Sequence, residues 1–291
     1  MPTEMADRPK LPYNQVTMTQ VKRAILLVAG YGSRLWPITK VIPKSLLNIV
    51  NYPVIHYIIE EIAESDIEEV IIVAGSDRSQ ILFQEYIDNE IKSHYKMRFI
   101  MRSQKTPLGM IDAIKHALPE YEPTAVLVGD DILLGKPGAT KKIIQTFNKL
   151  DSAISGPIIA LLKIEKTEAH KYGMVRLGKK IGTTYDIEDL VEKPQELKDI
   201  PSAFSVFGRY ILTKEIFEII DKMHPTENKE LFLPDAFNIY LKNGGRIYGE
   251  AVRGIRFDAG SKIGLLKAQA YFGLKDKDTR KEFKEYLRKI I

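Results

Sequence analysis

Apolar residues in this chain come in short unbroken blocks that alternate with stretches of helical period. Residues 24–29 (AILLVA), 69–74 (EVIIVA), 97–101 and 125–128 have the length of buried strands and are bounded by turn-forming residues. Between them, Val54, Ile55, Ile58, Ile59 and Ile62 form a stripe at helical spacing over 53–65. Gly75-Ser76-Asp77 opens a second helix over about 78–88, and Gly109 a third over 109–118. Strands that are apolar throughout, rather than at alternate residues, are covered on both faces. The pattern predicts an α/β fold with a mostly parallel central sheet and helices on both faces.

Beyond Gly156 the texture changes. Residues 157–164, 173–177, 186–191 and 204–212 are strand-like pieces joined by short turns, which predicts a more mixed region built onto the sheet. Helices are expected at 213–223 and 234–243, a strand at 246–252 and an amphipathic helix at 261–272. A charged helix follows from 276, with Phe283, Tyr286, Leu287 and Ile290 as its apolar residues. The expected organisation is a poorly ordered polar leader over 1–20 (with Met18 a candidate start), a body over 21–274 and a C-terminal helix over 275–291.

Composition narrows the function. With 291 residues, 44% hydrophobic and 28% charged, the chain is expected to be a soluble globular protein with ample core. No apolar run approaches the roughly 20 residues of a membrane span, and the leader lacks the apolar centre of a secretory signal. The expected location is the cytoplasm. The absence of cysteine excludes disulfides and thiolate chemistry. The net charge of +5 is spread among interleaved signs without an aromatic–basic stripe, which points away from nucleic acid and towards a small anionic substrate. The five histidines are scattered without zinc-ligand spacing.

The candidate chemistry starts where block 24–29 runs into Gly30-Tyr31-Gly32-Ser33-Arg34. Ten residues after Arg34, in a proline-bounded loop, lies Lys44. A glycine turn leaves backbone N–H groups bare, and such nests bind phosphate oxygens. The added Arg and Lys suit a polyphosphate. Leu35 stands where a dinucleotide fingerprint needs a third small residue, and no Walker string is present. The polarity of this loop predicts that its cations are dispensable to the fold.

Other residues gather at predicted strand ends. Gln104-x-x-Pro107-x-Gly109 offers an amide donor and acceptor that match the paired edge of uracil. Gly129-Asp130-Asp131 places a carboxylate beside the phosphate loop, where Mg²⁺ would be held, or a turn-capping Asp. Asp258 is either a second such carboxylate or part of the turn before a Ser261-capped helix. Glu192-Lys193 could serve sugar hydroxyls and a sugar phosphate, although alone E-K-P reads as a surface turn.

Together these pieces form a pattern. A-G-x-G-[ST]-R-x-x-P-x-[ST]-x-x-x-P-K, Q-x-x-P-x-G, the Gly-Asp-Asp tip, Y-G-[MV]-V with E-K-P, and aromatic-Asp-x-Gly-[ST] occur in order over about 21–274. They resemble the motifs of the sugar-phosphate nucleotidyltransferases. The spelling TKVIPKSLLNIVNYPVIHYIIEE is most similar to the bacterial-type uridylyltransferases of that family. The resemblance implies a Rossmann-like sheet with a mixed sugar-binding region, UTP and glucose 1-phosphate as substrates, Mg²⁺ as cofactor, and a homo-oligomer, dimer or tetramer. It implies nucleotide contacts from Ala29, Gly30, Gly32, Ser33, Arg34, Lys44, Gln104, Pro107, Gly109 and Asp130. Sugar-phosphate contacts would come from Asp131, Gly173, Glu192 and Lys193. The metal would fall to Asp130 and Asp258, and catalysis to Arg34, Lys44 and Lys193.

Three departures from the family spelling bear on the choice of nucleotide and sugar. Gly129 stands where uridylyltransferases commonly have proline, Pro234 replaces a threonine in L-T-D-A, and Ala259 replaces a cysteine or threonine. A sister enzyme using dTTP or another sugar 1-phosphate is therefore a competing reading. A non-catalytic regulatory homologue is another, opposed by the presence of Arg34, Lys44, Asp130, Lys193 and Asp258.

Overall fold

The computed structural model describes residues 20–106, 108–117, 122–150, 156–224 and 231–290. The expected leader, but for Gln20, and Pro107 lie outside them. The apolar blocks become strands. In chain order these are β1 (Arg23–Leu27), β2 (Asn48–Ile49), β3 (Tyr52–Pro53), β4 (Glu69–Ala74), β5 (Arg98–Ser103), β6 (Thr124–Val128), β7 (Asp131–Leu134), β8 (Ile158–Lys163), β9 (Gly173–Ile181), β10 (Thr184–Glu192), β11 (Phe204–Leu212), β12 (Ile247–Val252) and β13 (Ile255–Asp258). The helices are α1 (Val54–Ala63), α2 (Asp77–Tyr86), α3 (Met110–Ala117), α4 (Ala139–Phe147), α5 (Lys214–Lys222), α6 (Leu233–Lys242), α7 (Lys262–Gly273) and α8 (Arg280–Ile290).

Nine strands form one sheet in the order β5-β4-β1-β6-β11-β8-β12-β10-β9. Alternate residues of a strand face opposite sides, and the core divides accordingly. Ala24 and Leu26 join one apolar cluster with the α1 stripe, while Ile25 joins another with Ile111 and Ile114 of α3 and Phe217 of α5. Both faces are thus covered by helices.

The sheet is mixed rather than mostly parallel. β5, β4, β1 and β6 run parallel to one another, and β8 runs parallel to β12. β11 lies antiparallel to β6 and β8, and β10 antiparallel to β12 and β9. The reason is the connections: helical crossovers return a strand in the same direction, whereas β9 meets β10 through a tight turn at Gly182, whose φ is +61°. Two small pairings lie outside the main sheet, β2 with β3 and β7 with β13.

Ser76 and Ser261 cap α2 and α7 by accepting from the backbone N–H of Ser79 and Gly264 at 3.3 and 3.1 Å. Asp235 accepts from the Phe232 N–H at 3.1 Å and fixes the entry to α6. In α8, Phe283 and Leu287 are half-buried while Ile290 is exposed, and Phe283 lies against Gly273 at the end of α7. No helix among the described residues is long and apolar enough to cross a membrane.

One buried ion pair ties these layers together. Arg209 of β11 is 0% exposed, and its guanidinium donates to Glu61 of α1 at 2.7, 3.0 and 3.2 Å. It also donates to the carbonyls of Val128 at 3.3 Å and Asp131 at 2.8 Å, on either side of the turn after β6. Glu61 further accepts from the N–H and hydroxyl of Thr140 in α4 at 2.9 and 2.7 Å. Removing one member of a buried pair strands the other charge and costs about 3–5 kcal/mol. Glu61→Gln should lower unfolding stability by that amount, read from the denaturant midpoint. An unchanged midpoint would mean that the pair does not bind the layers.

Candidate active site

The glycine loop is shaped to bring Lys44 back onto Gly30. Gly32 adopts φ +64°, a left-handed conformation that glycine takes without steric cost, and starts a single 3₁₀ turn, Ser33–Leu35. A Cβ on Gly32 would sit 3.1 Å from Lys44 Cβ and 3.2 Å from Thr39 Cγ2, so the loop is closed on itself. The Thr39 hydroxyl donates to the Gly32 carbonyl at 2.8 Å and holds that closure. Lys44 Nζ ends beside Gly30, 3.5 Å from where a Cβ would lie. Ala29 is buried beneath the loop, whereas Ser33 and Arg34 are exposed.

Lys44 donates to Asp130 Oδ2 at 2.5 Å, and both side chains are largely buried. The expectation of a cation dispensable to the fold therefore fails for Lys44, because its removal would strand a buried carboxylate. Burial works to raise the Asp130 carboxyl, but Lys44, with Arg34 behind it, outweighs that effect and holds it below its ordinary value.

Asp130 reaches this position because Gly129 lets β6 run against β1. A Cβ on Gly129 would lie 2.8 Å from the Leu27 carbonyl and would overlap Val28. Gly129 thus has a packing reason that owes nothing to the choice of nucleotide.

The β7–β13 ladder carries Asp258 to the same place. Asp258 pairs with Asp131 in register, and the Ala259 N–H donates to the Asp130 carbonyl at 2.9 Å. Arg34 Nη1 donates to Asp258 Oδ2 at 3.3 Å, and the Gly260 N–H donates to Asp258 Oδ1 at 3.1 Å. Gly260 leaves no room for a side chain, since a Cβ would overlap Asp130 and lie 2.9 Å from Arg34 Nη2. The two basic residues of the loop and the two aspartates therefore meet in one cluster of crossed pairs. Among the described residues no group of three or more His, Cys, Asp or Glu converges. A pair of hard oxygen donors with no third protein ligand fits Mg²⁺, which keeps waters and takes substrate phosphates.

Asp131 points elsewhere. It is 6% exposed, and both its oxygens accept from Arg256, at 2.8 and 2.6 Å. Burial pushes its carboxyl up, against the opposing pull of Arg256. Arg256 in turn lies over the Tyr172 ring, 3.9 Å from its centroid. No motif reading gave Arg256 or Tyr172 a role. Arg256 sits one residue before the aromatic of the Asp258 element and Tyr172 opens Y-G-M-V, but only their meeting across the fold marks them.

Gln104 is 2% exposed and leaves β5 with its N–H bonded to the Ala74 carbonyl at 2.8 Å. Its Nε2 donates to the Gly109 carbonyl at 3.1 Å and to Asp112 Oδ2 at 2.7 Å. Gly109 has φ +103°, a conformation closed to other residues. A cavity of about 230 Å³ is lined by Gly30, Lys44, Gln104, Gly109, Asp130 and Phe232, among others. With Ala29, it collects six of the residues named from sequence.

Gly173, Glu192 and Lys193 form a second group, related to this cavity through Phe232. Glu192 faces Gly173 across the β9–β10 pair, and a Cβ on Gly173 would lie 3.0 Å from Glu192 Oε2. Lys193 Nζ is 3.2 Å from Glu192 Oε1 and 5.7 Å from the centroid of Phe232, which lines the cavity. Lys193 holds φ +45°, left-handed for a residue with a side chain, and its N–H donates to the Tyr172 carbonyl at 3.2 Å. Phe232 is a further residue that the sequence reading missed; it adjoins the L-P-D-A segment whose Asp235 fixes it.

Comparison with known proteins sets the chain in a family. The family model described as nucleotidyl transferase matches residues 23–272. A UTP–glucose-1-phosphate uridylyltransferase of Streptococcus pyogenes is 31% identical, the match covering 94% of this chain and 95% of that protein. One from Staphylococcus saprophyticus is 30% identical over 94% of this chain and 99% of its own length. A UDP-glucose pyrophosphorylase solved in complex with UDP-glucose superposes with a TM-score of 0.79 at 33% identity, covering 88% of this chain and all of that one (100%). The chain belongs to the nucleotidyl transferase family.

Proposed function

We propose that the chain catalyses transfer of a uridylyl group from UTP to glucose 1-phosphate, giving UDP-glucose and pyrophosphate. The observation that carries this reading is the crossed pairing of Lys44 with Asp130, both lining the Gln104 cavity, and of Arg34 with Asp258 in the same charged cluster. The names of the relatives at 31% and 30% identity supply the substrates.

The nucleophile in this reaction is a phosphate whose second pKa is near 6, already a dianion at neutral pH. No general base is needed, and none of the clustered groups is placed as one. The obstacle is repulsion between two polyanions, so rate comes from charge neutralisation and in-line placement. In this reading Arg34, Lys44 and the Gly30–Gly32 amides hold the triphosphate. Lys193 neutralises the attacking phosphate, and Glu192 accepts from sugar hydroxyls. Gln104 presents its amide oxygen to the base. Asp130 and Asp258 are the residues that would hold Mg²⁺, which when bound neutralises phosphate charge. When a triphosphate enters, the ammonium of Lys44 and the guanidinium of Arg34 exchange a carboxylate partner for phosphate oxygens, which frees the carboxylates of Asp130 and Asp258. A matrix of five nucleoside triphosphates and several sugar 1-phosphates, read by pyrophosphate release, tests the assignment; UTP with glucose 1-phosphate should lead. A purine triphosphate outrunning UTP and dTTP would overturn it.

The crossed pairs separate folding from chemistry. Lys44→Ala should cut kcat/KM by about 10² or more and also lower the melting temperature, because Asp130 loses its partner. Adding Asp130→Asn should restore the melting temperature while activity stays low. Recovery of activity in the double variant would remove Lys44 from the reaction.

The neighbouring aspartates should part company. Asp130→Asn should raise the Mg²⁺ requirement, at a cost in stability because Lys44 loses its partner, whereas Asp131→Asn should leave the Mg²⁺ requirement at the parent value and destabilise by about 1–3 kcal/mol through the broken Arg256 pair. The reverse order would move the metal to Asp131.

The pH dependence follows from the sign of the Asp130 shift. A carboxyl held below its ordinary value of 3.8 stays charged above that pH, and its share of stability is lost only as pH falls through its lowered pKa. The acid limb of kcat/KM should therefore follow the sugar phosphate, with an apparent pKa near 6. Replacing glucose 1-phosphate by an analogue with a more acidic phosphate should move that limb down; a limb that does not move would place an ionising protein group in the rate.

A further inference from the structure

The buried amide of Gln104 is held one way round, and the residue that holds it is Asp112. Resting on the reading of Gln104 as the base-contacting residue, we infer that Asp112 is a positioning residue that sets which pyrimidine the site accepts. A glutamine amide has two donor hydrogens on Nε2 and an acceptor on Oε1, and a half-turn about its last torsion exchanges them. Here Nε2 spends one hydrogen on the Gly109 carbonyl at 3.1 Å and the other on Asp112 Oδ2 at 2.7 Å. Both partners are acceptors that have nothing to donate. A half-turn would set Oε1 against a carbonyl oxygen and an ionised carboxylate, in a place where the side chain is 2% exposed. The orientation is therefore fixed, and the fixing is strongest at Asp112, whose bond is the shorter and carries the charge.

The consequence lies on the open side of the amide. Gln104 lines the cavity shared with Gly30, Lys44 and Asp130. With both hydrogens committed to the protein, Gln104 offers a ligand only its Oε1. An acceptor alone suits a base whose ring nitrogen carries a hydrogen, the imide N–H of uracil or thymine. Cytosine presents a lone pair at that nitrogen, and two acceptors then face each other out of water. Rejection of an analogue that leaves a buried polar group unpaired is stronger than rejection by size. A carbonyl and a carboxylate on the protein thus convert an ambiguous amide into a reader of the imide.

Asp112 has two other contexts. It stands in the first turn of α3, where a carboxylate is favoured by the helix dipole. His116, one turn on, lies 3.6 Å from the same oxygen and is exposed. Both would give Asp112 a part in stability without any bearing on the base, which is what the test must separate.

The experiment compares kcat/KM for UTP with that for CTP in the full chain, with glucose 1-phosphate saturating, together with melting temperature. Asp112→Asn keeps the shape and the possibility of a bond but can either accept or donate, so the amide is free to turn. The ratio should fall about tenfold or more, mostly through KM for the nucleotide, while KM for glucose 1-phosphate stays as in the parent. Asp112→Ser reads the same ratio if the asparagine variant does not fold. Gln104→Ala serves as the arm that tests the underlying reading and should abolish most of the discrimination. A parental ratio in Asp112→Asn, beside a collapsed ratio in Gln104→Ala, overturns the role of Asp112 and leaves Gln104 as the base reader. A parental ratio in Gln104→Ala overturns both. A change confined to melting temperature makes Asp112 a helix-end residue only.

Discussion

The fork of Arg209 is the constraint around which this molecule is arranged. A guanidinium has five N–H donors in a rigid plane, and a buried one needs acceptors at set positions. Here those acceptors come from Glu61 in α1 and from carbonyls at Val128, Gly208 and Asp131. Glu61 is engaged in turn by Thr140 of α4. A strand, two helices and the turn that carries Asp130 therefore share one bonded centre, and shifting any of them leaves a charge or a carbonyl unsatisfied. Coulomb attraction in such a place is large, but so is the cost of taking both ions from water. What the pair adds beyond its small net stability is a unique arrangement, because an apolar contact would tolerate sliding and this one does not.

With the turn held from behind, its front can carry unlike charges at close range. Lys44 and Asp130, Arg34 and Asp258 neutralise each other in pairs, so the site keeps its shape without a ligand. Electrostatic catalysis depends on such groups being in place before the reaction, since reorienting dipoles and ions during it would cost what they contribute. Glycines at 129 and 260 are what permit the close approach: side chains there would collide with Val28 and with Asp130 itself.

The strands with continuous apolar runs were legible without coordinates, and β4 and β11 begin and end where their residues said they would. Strand direction was not legible, because an apolar block carries no mark of its neighbour's sense; only the connections do. The short elements β7 and α4 also escaped, β7 because four residues after a Gly-Asp turn are too few to show a period, and α4 because lysines, threonines and a glutamine interrupt its nine residues. That the glycine loop, Gln104 and Asp130 gather at strand ends could be read, because each closely follows an apolar block. Partners distant in sequence could not be read. Arg209 looks like a stray cation in an apolar strand, and Glu61 like a solvent-facing member of a helix, until β11 is laid against α1. The same holds for Asp131, whose two oxygens are claimed by a residue that arrives with β13.

Lys193 shows the compromise such a site makes with its own backbone. A left-handed φ at a residue with a side chain costs about 1–2 kcal/mol, which glycine would not incur. A search for hardier variants would select Gly at 193, since the fold relaxes there and the ammonium's partners among the described residues are Glu192 and the face of Phe232. The price of that gain is a cation 5.7 Å from the ring of Phe232, at the edge of the Gln104 cavity. Under the proposed role of Lys193, thermal tolerance and turnover pull on this one torsion angle in opposite directions, and a laboratory lineage chosen for heat resistance alone would drift towards a sturdy protein without that cation.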